Sequence, residues 1–99
     1  MIAEIQVVPT PVGTARDRWA HVDAAIAVIA CSGLRYEVGP LGTNIEGDPD
    51  VVWATLRSAH EATLAHGATS VVTVIKVLEA GDDTTTMREL TDPHRTRRD

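Results

Sequence analysis

The chain has 99 residues, 43% hydrophobic and 3% aromatic, with a formal net charge of -5. That length makes one domain with a core of its own and leaves no room for a second. An acidic chain without phenylalanine lacks the positive surface that neutralises phosphates and the ring platform on which bases stack, so a nucleic-acid partner is not expected. No apolar run approaches the roughly 20 residues that span a bilayer.

Glu4 and Gln6 interrupt the opening segment at once, so it does not read as a leader, and a cytoplasmic location is expected. Cys31 is the single cysteine, which rules out an internal disulfide and a cysteine-built zinc site. Near the end of an alanine-rich helix, it is expected to be buried as a small apolar residue.

Taken in chain order, Ile2 to Val8 reads as a strand. Ala3, Ile5 and Val7 make an apolar face; Ile2, Glu4, Gln6 and Val8 make a mixed one. Pro9 and Pro11 stop the ladder, and Val12-Gly13-Thr14 turns into a helix expected over residues 15–31. Trp19, Val22, Ala25 or Ile26, and Ile29 form its apolar stripe, with Thr14 as N-cap and Asp17 suited to the positive end of the helix dipole. Ser32-Gly33 stops that helix, and Leu34, Tyr36 and Val38 alternate with Arg35 and Glu37 as a half-buried strand.

Gly39-Pro40 turns the chain into a paired strand over residues 41–47. Thr43, Asn44 and Glu46 fall on it, although Asn and Glu are depleted in strands; polar groups there need water or a ligand. Asp48 or Asp50 starts a second helix, helped by Pro49, with Val52, Leu56, Ala59, Thr63 and Leu64 as its buried stripe and Gly67 at its end. Residues 70–78 form a last strand, apolar on both faces. A short helix is expected over residues 86–90, inside a polar C-terminal extension (80–99) of the single domain that residues 1–99 make up, with a solvated basic tail after Pro93.

Strand, helix, strand, strand, helix, strand is the split pattern of ferredoxin-like folds: α+β, with a four-stranded antiparallel sheet and both helices on one face. The other face would carry Val8, Val72, Val74 and Leu78 beside Glu4, Gln6 and Lys76. So much exposed apolar surface predicts association with further copies, as a dimer or tetramer.

The blocks Ile2 to Pro9, Pro11 to Thr14, Arg35 to Val38, Leu41 to Gly47 and Ala59-His60-Glu61 resemble the thiamine-binding protein family, a group of small ferredoxin-like tetrameric proteins. The resemblance implies a cytoplasmic, non-catalytic binding protein for thiamine or its hydroxymethylpyrimidine moiety, with no cofactor. It directs the search for a site to Thr14, Tyr36, Glu37, Thr43 and Glu46; Asn44 departs from the aliphatic residue expected there.

An aminopyrimidine ring accepts and donates hydrogen bonds, and a carboxylate suits its amine or a cationic thiazolium. Glu46 and Glu37 are the candidate carboxylates, and Thr43 and Asn44 the neutral partners. Tyr36 or Trp53 could stack, although both fit ordinary packing. Glu37 could equally pair with Arg35, and Thr14 could simply cap its helix. The four histidines have no metal-binding spacing, and His60-Glu61 lacks the second histidine of a zinc-hydrolase helix. Two other readings stay open: an interaction or regulatory module without a small ligand, and an enzyme with Glu46 or His60 as base.

Overall fold

The computed structural model describes residues 1–82 and 84–95. Strand β1 covers Ile2–Thr10, helix α1 Ala20–Ala30, strand β2 Arg35–Val38 and strand β3 Thr43–Glu46. Helix α2 covers Pro49–Ala65, strand β4 Ser70–Leu78 and the short helix α3 Met87–Thr91, followed by a single 3-10 turn at Asp92–His94. The strands lie in the order β2-β3-β1-β4 and every pairing is antiparallel. This is the ferredoxin-like α+β arrangement expected from the sequence.

Alternation along β1 and β3 decides where the core sits. Ala3, Ile5 and Ile45 point toward the helices and meet Ala25 and Ile29 of α1 and Val52, Leu56 and Ala59 of α2. Alanines at 25 and 59 let the two helices lie close together, while the larger aliphatics fill the space between helices and sheet. Full burial of each such aliphatic contributes about 1.5–3 kcal/mol over leaving it in water. Asp48 caps α2 by accepting from the amides of Asp50 and Val51 (3.1 and 3.4 Å), and Pro49 sits in the first turn, where no amide is missed. Gly67, at φ +121°, releases the chain from α2 into β4.

The first helix is shorter than its sequence pattern. It begins at Ala20, because residues 14–18 close a turn on themselves. The Thr14 hydroxyl accepts from the Asp17 amide at 3.0 Å, and the Thr14 amide donates to the Asp17 carbonyl at 2.7 Å. Thr14 therefore caps this turn, while Trp19 holds the N-cap position of α1 without a side-chain cap. Gly13 is what permits it: a Cβ there would lie 2.3 Å from the Arg18 carbonyl oxygen.

Three burial expectations are also corrected. Cys31 is exposed, because α1 ends one residue earlier and leaves it at the C-cap. Leu64 is exposed while its neighbour Thr63 takes the buried position on α2. Tyr36 and Val38 are exposed because β2 is an edge strand that α1 covers only in part.

The C-terminal segment is tied to the sheet face that looks away from α1 and α2. Met87 is buried there, and its amide donates to the Glu46 carboxylate at 2.7 Å. Thr86 and Glu89 cap α3 reciprocally, and Arg95 reaches Glu37 at 3.0 Å. The short helix expected over residues 86–90 is thus present, one residue along. The end of the predicted basic tail, residues 96–99, lies outside the described residues.

Candidate functional site

The register splits the polar residues of β3 between two environments. Thr43 pairs with Ile5 and faces the helices; Asn44 and Glu46 pair with Glu4 and Ile2 and face the open side. Across that open side Glu37, Asn44, Glu4 and Lys76 form one row over all four strands. Its charges are engaged: Lys76 lies 3.6 Å from Glu4, and Arg95 holds Glu37. Glu46, whose side chain is only 14% exposed, accepts from the Met87 amide and lies 3.6 Å from Arg35.

The other side holds a cavity of about 430 Å³ between α1, the far half of β1 and the β2–β3 turn. That volume falls within the roughly 300–1,000 Å³ usual for small-ligand sites. Ile5, Ala25 and Ile29 form its apolar depth, and Trp19, Asp23 and Leu41 also line it. Two local devices hold the walls. The Gly39 amide donates to the Gly42 carbonyl at 2.8 Å, closing the turn that carries Pro40 and Leu41. The buried His21 donates from Nδ1 to the Pro11 carbonyl at 2.6 Å, which pins the start of α1 to the exit of β1.

Thr43 supplies a hydroxyl to this mostly apolar cavity. It is only 5% exposed, it lines the cavity, and its hydroxyl has no hydrogen-bond partner among the described residues. No side-chain oxygen or nitrogen among the described residues is both fully buried and unpaired, so this hydroxyl still reaches the solvent of the cavity. A ligand atom entering the cavity would take the place of that solvent.

The six residues singled out in the sequence therefore do not converge. Thr43 lies in the cavity. Glu37, Asn44 and Glu46 share the open face. Tyr36 stands at the β2 edge in a shallow hollow with Arg35, Arg88 and Arg95, and Thr14 is used in its turn. Trp53 is half exposed on α2, and His60 shares a hydrogen bond with Thr73 of β4. Trp19 and Asp23 were not anticipated as site residues, although their four-residue spacing puts them on one side of α1.

The fold and cavity define a class: a ferredoxin-like domain with an apolar chamber sized for a small molecule. The chain belongs to the thiamine-binding protein family, whose model matches residues 3–95. A UPF0045 protein of Synechocystis is 36% identical over 89 residues, covering 90% of this chain and 72% of that protein. One from Methanothermobacter thermautotrophicus is 33% identical over 82 residues, covering 81% of each. Among solved structures, a domain of unknown function from Bacillus cereus matches with a TM-score of 0.85 at 34% identity, over 95% of this chain and 88% of that one. A Thermotoga maritima protein provisionally assigned to thiamine biosynthesis or salvage matches with a TM-score of 0.81 at 23% identity, over 95% and 97% of the two chains; that likeness speaks to the fold.

Proposed function

We propose that this protein binds thiamine or its hydroxymethylpyrimidine moiety without transforming it, and that it works as a homo-oligomer in the cytoplasm. The observation that carries the reading is an apolar cavity of ligand size, to which Thr43 offers a hydroxyl with no partner among the described residues and with access to the cavity's solvent. A flat aminopyrimidine suits such a chamber: its ring replaces water against Ile5, Ala25 and Ile29, and a ring nitrogen or the amine pairs with Thr43. Family membership supports the choice of ligand.

Self-association is supported by β4. This nine-residue edge strand exposes Val72, Val74 and Leu78 on the open face and Ile75 and Val77 on the other. A long apolar edge left in water invites pairing with another chain. In this reading Glu37, Asn44 and Glu46 belong to the face that packs against sister subunits, and Thr43 to the ligand.

Isothermal titration with thiamine and with hydroxymethylpyrimidine tests the proposal. Thr43→Val keeps the shape, removes the hydroxyl and should weaken binding by about 1 kcal/mol. A dissociation constant unchanged in Thr43→Val takes Thr43 out of the site. No heat with either compound, from a correctly assembled protein, returns the chain to the interaction-module reading.

A further inference from the structure

Three arginines from distant parts of the chain line one hollow of about 450 Å³ on the open side of the sheet. Arg35 comes from the edge strand β2, Arg88 from α3, and Arg95 from the end of the 3-10 turn. Like charges repel, and nothing in the packing of the fold requires these three to meet. The chain is acidic overall, at a net charge of -5, so the gathering runs against its composition.

Carboxylates hold the arginines in place. Glu46 accepts from the Met87 amide at 2.7 Å and lies 3.6 Å from Nε of Arg35, which ties α3 and Arg35 to one point of β3. Met87 is buried and anchors the backbone of Arg88 beside it. Arg95 donates from Nη2 to Glu37 at 3.0 Å, and its Nε lies 3.4 Å from Asp92. These contacts use only part of each guanidinium, which carries five N–H donors in a planar fork. Arg35 is engaged through Nε alone, at a distance too long for a hydrogen bond. Arg88 has no hydrogen bond or ion pair among the described residues.

A single exposed arginine is content with water. Three converging on a concave site add their fields and leave several donors aimed at one small volume. Among the lining residues only Glu37 is acidic, against three positive charges; Glu46 and Asp92, which balance part of that charge, do not line the hollow. We infer that the hollow is an oxyanion site, for the phosphoryl group of a small phosphorylated molecule or for inorganic phosphate. Guanidinium forks match such oxygens two at a time, and charge-assisted bonds of this kind are the stronger ones. The volume exceeds what a phosphoryl group fills, so a carrier has room. The site is separate from the apolar cavity under α1 and does not depend on what that cavity binds. It lies at the β2 edge, opposite the β4 edge proposed for self-association.

The test is an NMR shift titration of the whole chain at low ionic strength with inorganic phosphate, phenyl phosphate and, as the neutral counterpart, phenol. Both phosphates should shift signals of Arg35, Arg88 and Arg95 together, and phenol should leave them in place. Arg88→Gln should weaken both phosphates about tenfold with an unchanged thermal midpoint. Arg57→Gln removes an exposed arginine of α2 that does not line the hollow, and should change affinity less than about twofold. Tighter binding of phenyl phosphate would assign the site to an ester, and tighter binding of phosphate to the free ion; either upholds the inference. Equal losses in Arg57→Gln and Arg88→Gln, or shifts scattered over the surface, would reduce the effect to general charge and overturn it. No shift with either phosphate overturns it as well.

Discussion

The two faces of the β-sheet carry similar polar side chains and use them in opposite ways. On the open face each carboxylate is matched: Glu4 with Lys76, Glu37 with Arg95, and Glu46 with Arg35 and the Met87 amide. On the helix side, at the cavity, the Thr43 hydroxyl and the exposed Asp23 carboxylate have no partner among the described residues and are left to solvent. A polar group whose bonds are complete within the chain explains local structure. One that meets only the water of an apolar recess is free to pair with a molecule that displaces that water.

That contrast can be broken by substitution, and Val74→Lys should do most. On the open face of β4 it places a charge in the exposed apolar area, and the proposed assembly should fall apart to monomers in light scattering. An unchanged mass would remove this face from the interface. On β3, neighbouring residues should behave as opposites. Ile45→Ala empties a fully buried site and should cost about 3 kcal/mol in urea denaturation. Glu46→Gln keeps the shape but weakens the hold on Arg35 and Met87, and a loss of about 1 kcal/mol of stability with ligand affinity intact is expected. A fall in affinity without loss of stability would return Glu46 to the ligand site. Asn44→Ala should be the mildest, within about 0.5 kcal/mol, since it only thins a solvated row.

Most of this architecture was legible in the sequence. Alternation gave β1, β3 and β4 with their faces, and the Asp48-Pro49 start gave α2. The beginning of α1 was not, because Thr14 followed by Asp17 looks alike whether it opens a helix or closes a turn. Only the close approach of Gly13 to Arg18 separates the two, and that is a contact in space. The site was half legible. The parity of β3 already divides Thr43 from Asn44 and Glu46, yet polar residues adjacent in sequence were grouped as one site. What brought Thr43 into one cavity with residues of α1 was the approach of α1 to the turn at residues 39–42, a meeting of distant segments. The reach of Arg95 to Glu37 across 58 positions was hidden for the same reason.

The placement of the two indoles has a practical side. Trp19 borders the chamber and Trp53 stands away from it, half exposed on α2, and the chain has no other tryptophan. Replacing Trp53 with phenylalanine would leave one native fluorophore at the mouth of the chamber. Its emission would then report occupancy directly, with no dye attached.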